Sequence, residues 1–184
     1  PISAGYDYLS VSFGYTEPLW AFWQACGFTL ARIGSQREAS SGCYAAMAVL
    51  GLTTAGKALQ QKAEGSLARD WPLLSPHIPL DLPLPAACDH AFTRRDAWLA
   101  AGFAWAQRPL EASLAVLQRL VGISQQPLPL LRQAVNADTS LAELAQTARL
   151  NGRKTLITAL RAEAAAALLA LPGREGEALR EQLQ

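Results

Sequence analysis

Asp7-Tyr-Leu-Ser-Val-Ser-Phe-Gly14, Tyr15-Thr-Glu-Pro-Leu-Trp-Ala-Phe-Trp-Gln-Ala-Cys-Gly-Phe28 and Thr29-Leu-Ala-Arg-Ile-Gly34 form one continuous run that decides the fold. A polar loop, Ser35–Ser41, then leads into Gly42-Cys-Tyr-Ala-Ala-Met-Ala-Val-Leu50. The run reads as strand, helix, strand, loop, strand. Tyr8–Phe13 is short, apolar-rich and closed by Gly14, as a strand should be. Thr16 offers a hydroxyl cap and Glu17 suits the positive end of a helix dipole. Pro18 is tolerated in a first turn, where no backbone donor is needed. Leu19, Trp20, Phe22, Trp23 and Cys26 supply a broad apolar face, and Gly27 stands where a helix-ending glycine belongs.

Beyond Leu50 the character changes. Ala55–Asp70, capped by Thr53 or Thr54, reads as a polar helix with only a thin stripe of Leu59, Lys62, Ala63 and Leu67, expected to pack weakly or to bridge two bodies. The proline-rich stretch Trp71–Pro85 reads as an extended surface loop held down by Trp71, Leu73, Leu74, Ile78, Leu80 and Leu82. From Thr93 the chain is helical. Thr93 and Asp96 suit a helix start, and Trp98 and Trp105 share a face that reads as core. Pro109 is expected to open a second helix closed by Gly122, and Pro127 and Pro129 to bracket the start of a third. Ser140-Leu-Ala-Glu143 has the form of a capping box. Arg153–Leu171 reads as a long helix and Glu175–Gln184 as a final short one. Short links between amphipathic helices imply an antiparallel bundle.

Bulk properties narrow the classes. With 184 residues, 51% of them hydrophobic, the chain can bury a core as one domain or two small ones. The net charge is only +1, which excludes a polycation. Residues 93–184 hold eleven Lys/Arg against eight Asp/Glu, while 1–92 hold five against seven, a tilt of the tail toward an anionic partner. Cys26, Cys43 and Cys88 form no paired framework, so reduced thiols in a cytoplasmic chain are expected. Cys88-Asp89-His90 has no second ligand pair, and no metal site is expected. No apolar run reaches the roughly 18 residues of a membrane span.

SVSFGYTEPLWAFWQACGF (10–28) followed by RIGSQREASSGCYAAMAVL (32–50) resembles the closing half of the acetyltransferase (GNAT) domain of bacterial tRNA(Met) cytidine acetyltransferases. The likeness is close over about the first 54 residues. It continues more loosely through Ala104–Leu110 and Gly152–Lys154, where that family has its C-terminal tail. What it implies is an α+β chain: residues 1–54 as the end of an acetyltransferase sheet, 55–92 as a linker helix and Pro-rich loop, and 93–184 as a helical, tRNA-binding tail. The implied enzyme, an acyltransferase, moves acetyl from acetyl-CoA to the exocyclic amine of the wobble cytidine, with ATP and Mg2+ used in an upstream module. The implied partners are tRNA and the N-terminal remainder of the same protein.

The glycine-rich turn that would cradle the cofactor pyrophosphate has no counterpart here, since neither G-x-G-x-x-G nor Q-x-x-G-x-G/A occurs. The expectation is therefore a fragment, inactive alone, whose first strand has its outer edge exposed or filled by another copy. By the same resemblance Tyr15 is the candidate acid for the leaving thiolate, and Ser12 and Glu17 are candidate cofactor contacts. Pro18 and Ala25 stand where the family places an acidic and a basic acetyl-CoA contact. For RNA phosphates, the candidates are Arg37 in the polar loop and Arg94, Arg95, Arg108, Arg149, Arg153 and Lys154 in the tail. The alternative is a stand-alone helical module for RNA or protein interaction without catalysis.

Overall fold

The structure, a computed structural model, describes residues 5–85, 91–172 and 175–183. The chain divides into two compact units, residues 1–89 and 90–184. Cys88-Asp89-His90 lies outside the described residues.

The first unit contains strand β1 (Tyr8–Gly14), helix α1 (Glu17–Ala25), strands β2 (Thr29–Arg37) and β3 (Tyr44–Gly51), and helix α2 (Thr54–Leu74). The strands form one antiparallel sheet in the order β1-β3-β2. Val11 stands opposite Ala48 and Phe13 opposite Ala46, while Leu30 and Ile33 meet the same two residues from the other side. Residues directly opposite share a face. One face therefore gathers Val11, Phe13, Leu30, Ile33, Ala46 and Ala48, and it packs into a single cluster with Trp20, Phe28, Leu67 and Ile78. The sequence alternation is thus read out as a one-sided sheet. β1 pairs only with β3, so its outer edge faces no strand among the described residues.

Local chemistry fixes the ends. The Thr16 hydroxyl accepts from the Leu19 amide, and Gly27 follows α1 at φ 86°, a conformation that suits glycine. Trp23 packs edge-on against Phe28, with ring centroids 5.2 Å apart, and lies 6.4 Å from Phe13, which seats α1 on the sheet. The start of α2 is tied to one end of the sheet, where β1 and β2 begin and β3 ends. The Asp7 carbonyl accepts from the Leu52 and Thr53 amides at 2.8 and 3.2 Å, and the Thr53 hydroxyl donates to the Asp7 carboxylate at 2.6 Å. Gln60 accepts from the Gly51 amide and donates to the Gly27 carbonyl.

Two expectations for this unit are corrected. α2 packs directly on β2 and β3, with Leu67 and Ala68 buried, so it is neither weakly held nor a bridge. It also runs through Trp71 and Pro72 to Leu74, followed by a 3-10 turn at Ser75–His77, where an extended loop was expected. Pro72 sits in the last turn, where a proline removes one amide bond and little helix remains to be broken.

The second unit is helical: α3 (Arg94–Trp105), α4 (Leu114–Ile123), α5 (Pro129–Ala134), α6 (Leu141–Thr147), α7 (Gly152–Leu169) and α8 (Glu175–Leu183). α7 is the axis, touching α3, α4, α5, α6 and α8. Phe103, Leu117, Leu120, Leu131, Leu156 and Leu160 are its fully buried neighbours and members. Thr93 and Asp96 form a complete capping box at the head of α3. Pro109 does not open α4. The chain turns at 110–113, where the Ser113 hydroxyl donates to the Pro109 carbonyl, and the helix begins at Leu114. Ser140 precedes α6 but makes no side-chain cap bond. Trp98, expected in the core, is 52% exposed.

Candidate functional site

In the first unit the sequence candidates separate. Ser12 lies on the open face of the sheet, where a cavity of about 460 Å³ is lined by Ser12, Gly14, Arg32, Gly34, Glu38 and Met47. Tyr15 is in the buried cluster instead, and its amide donates to the Tyr44 carbonyl at 2.7 Å. Glu17 is exposed in the first turn of α1. Arg37, at the end of β2, holds its guanidinium 5.3 Å from the Tyr44 ring centroid. The structure thus joins Tyr15, Tyr44 and Arg37 in one corner and leaves Ser12 in a separate cavity.

Burial raises the pKa of the Tyr15 phenol above its ordinary value of 10.0, and the carboxylates of Glu17 and Asp81 push the same way. The raised value has a thermodynamic consequence. Above about pH 10 the unfolded chain loses this proton before the folded chain does, so stability falls as pH rises. Below pH 10 both states keep it and the contribution is constant. Denaturation followed from pH 8 to 11 should show an alkaline decline that shrinks in Tyr15→Phe; an unchanged slope would remove Tyr15 as its source.

In the second unit Arg108, Arg153, Lys154 and Arg161 lie around the end of α3 and the first half of α7. Arg161 donates to the Phe103 carbonyl at 2.6 Å and to the Arg108 carbonyl at 3.2 Å, and stacks 4.9 Å from the Phe103 ring centroid. It neutralises carbonyls left open where α3 ends, and burial lowers its pKa. Arg108 is half-buried and donates to the Ala112 carbonyl at 2.8 Å. Arg153 pairs with Glu111, and Lys154 is exposed beside it. Between these groups lies a groove of about 530 Å³ lined by Gln107, Arg153, Lys154, Ile157, Thr158 and Arg161.

Chemically the groove gathers positive charge that an oxyanion could meet. Arg153 and Lys154 occupy the first turn of an 18-residue helix whose Asn151 cap makes no side-chain hydrogen bond. Positive side chains and amides at the positive end of a dipole act together on an anion. Arg149 is held nearby in the chain at φ 54°. The Arg149 amide reaches the Gln146 carbonyl, and the Leu150 amide reaches the Ala145 carbonyl, which closes α6 as a Schellman turn. Arg94 and Arg95 stand apart, exposed at the opposite end of α3 from Gln107.

Sequence reasoning missed Arg161 and Gln107. Arg161 had a signal: it is seven residues after Lys154, two turns along the same helix face. Gln107 had none, because its place in the groove depends on a left-handed backbone, φ 59°, just past the end of α3.

A model of a tRNA-binding domain family matches residues 56–173, which include the whole groove. The chain belongs to this tRNA-binding domain family. Arg94, Arg95, Arg108, Arg149, Arg153 and Lys154 fall inside the residues matched by that family, whereas Ser12, Tyr15, Glu17 and Arg37 precede them. The chain is also 49% identical over 175 residues to the tRNA(Met) cytidine acetyltransferase TmcA of Salmonella typhimurium, covering 95% of this chain and 26% of that protein. The TmcA proteins of Pectobacterium atrosepticum (47% over 178 residues, 93% of this chain and 26% of theirs) and Yersinia pestis (50% over 163, 86% and 23%) are similar in the same way. The chain spans about a quarter of the length of these relatives. The resemblance read from residues 10–50 therefore extends over nearly the whole chain. Among the described residues no His, Cys, Asp and Glu cluster could hold a metal, and no helix is long and apolar enough to cross a membrane.

Proposed function

We propose that this chain is the closing portion of a tRNA(Met) cytidine acetyltransferase and that its helical unit docks tRNA. The observation that carries this is the cationic groove of Arg153, Lys154 and Arg161 inside the region matched by the tRNA-binding family. In this reading residues 1–54 complete the acetyltransferase (GNAT) sheet, 55–92 connect, and 93–184 bind RNA. The antiparallel β1-β3-β2 sheet with α1 packed on one face supports the first of these assignments. Acetyl-CoA is the donor and the exocyclic amine of the wobble cytidine the acceptor. The rest of the protein supplies the pyrophosphate loop and the ATP- and Mg2+-dependent module, and the setting is the cytoplasm.

The acceptor nitrogen is conjugated into its ring and weakly nucleophilic, so the reaction depends on positioning the amine against the thioester. Tyr15, buried behind Glu17, is suited to give its proton to the departing thiolate, with Glu17 bordering the cofactor on that side and Ser12 meeting it only from the separate cavity on the open face of the sheet. The tail holds the substrate by its phosphates.

A titration of this chain with tRNA at two salt concentrations tests the docking role. Arg153→Ala/Lys154→Ala should weaken binding about tenfold and flatten the dependence of log K on log salt by between about 1 and 2. Wild-type binding that ignores salt, or a double variant that binds as wild type does, would sink the reading. No acetyl transfer by this chain alone is expected.

A further inference from the structure

We infer that Trp98 is a stacking platform for an unpaired RNA base, with Arg94 and Arg95 holding the phosphates beside it; this rests on the RNA-docking reading above. Helix α3 buries Ala97, Ala100, Ala101 and Phe103 against its unit. At helical spacing the opposite face presents Arg94, Arg95, Trp98, Gly102 and Trp105. Trp98 is 52% exposed, and both arginines are exposed.

Neither choice helps the fold. A tryptophan contributes to stability by burying its large ring, and this one leaves half of its surface in water. Two cations in the first turn of a helix oppose the dipole. Together they suit a ligand that offers flat π faces and negative charge in alternation, as single-stranded nucleic acid does. No acidic side chain occupies that face of α3, because its one carboxylate, Asp96, is buried and engaged.

The strip also leads somewhere. A Cβ on Gly102 would lie 3.5 Å from Cδ of Arg108, so the Arg108 stem lies against α3 at Gly102, on this face. Past it lies Gln107 and the groove of Arg153, Lys154 and Arg161. Twelve residues of α3 span about 18 Å at 1.5 Å per residue, enough for several nucleotides to run from the Arg94 end to the groove.

The test uses the whole chain and two probes, a single-stranded oligouridylate and a blunt RNA duplex, each titrated at several salt concentrations. Trp98→Ala should weaken the single strand by roughly 5- to 100-fold, leave its salt slope unchanged and leave the duplex, whose bases are already stacked, unaffected. Trp98→Phe should stay within about threefold of wild type on the single strand, since phenylalanine keeps a π face. Arg94→Ala/Arg95→Ala should instead flatten the salt slope by about 1 to 1.5. Wild-type affinity of Trp98→Ala for the single strand, or equal losses on both probes, overturns the inference and leaves this face to a protein contact. If in that case Arg153→Ala/Lys154→Ala still loses tRNA, the docking reading survives by itself. If wild type binds neither probe nor tRNA, both fall.

Discussion

Gly56→Ala should cost at least about 3 kcal/mol and disconnect α2 from the sheet. A Cβ at this position would sit 1.7 Å from the Asp7 carbonyl oxygen, 2.7 Å from the Asp7 carbonyl carbon and 3.3 Å from the Gly51 Cα. All three are backbone atoms, so no side chain can swing aside. The Asp7 carbonyl is moreover the acceptor for the Leu52 and Thr53 amides, and any shift that relieves the clash breaks those bonds. Gly65 gives an internal control in the same helix: nothing lies within 4 Å of its Cβ position. Gly65→Ala should therefore stabilise by up to about 1 kcal/mol, the ordinary gain of alanine over glycine in a helix. Amide hydrogen exchange resolves β1, β3 and α2 separately. Equal protection in the two variants would show that the close approach at Gly56 relaxes freely.

Asp96→Ala should destabilise the helical unit by about 3–5 kcal/mol. One Asp96 carboxylate oxygen accepts from the Thr93 amide and hydroxyl at 2.8 and 2.7 Å, completing the cap of α3. The other meets Arg119 of α4 at 3.4 Å, with both side chains almost wholly removed from water. Truncation opens the cap, worth about 1 kcal/mol, and takes a charged acceptor away from the buried Arg119 guanidinium, which is the larger effect. The two contributions are separable. Arg119→Met in the Asp96→Ala background removes the buried charge that has lost its carboxylate while keeping the bulk, and it should recover most of the loss. A loss below about 1 kcal/mol in Asp96→Ala, or no recovery in the double variant, would refute the assignment of the cost to the buried pair.

What could be read from the sequence follows from how far each signal reaches along the chain. The order β1-α1-β2-β3 was legible because Thr16, Gly14, Gly27 and the alternation through Tyr8–Phe13 act within a few residues. The cap at Thr93 and Asp96 was legible for the same reason, but the second bond of Asp96, to Arg119 on another helix, was not. Pro72 misled because a proline excludes helix interiors far more strongly than last turns, and only the packing of α2 reveals where the helix stops. Pro109 misled in the opposite sense: the first-turn rule fits it, yet Ser113 ties back to its carbonyl and delays the helix. Trp98 and Trp105 share a face with Gly102, and the spacing itself was read correctly. Which side of α3 that face occupies was set by Ala97, Ala100 and Ala101, small residues that carry a weak hydrophobic signal and yet fit against a neighbouring helix.

The left-handed backbone at Arg149 carries a warning for anyone engineering this scaffold. Glycine would adopt the same turn without the penalty of about 1–2 kcal/mol that a side chain incurs there. Selection for heat tolerance would accordingly drift to glycine at this site and discard a guanidinium within three residues of the helix that carries Arg153 and Lys154. Variants ranked by melting temperature alone would then rise in the list while shedding one of the cations proposed to meet RNA phosphates.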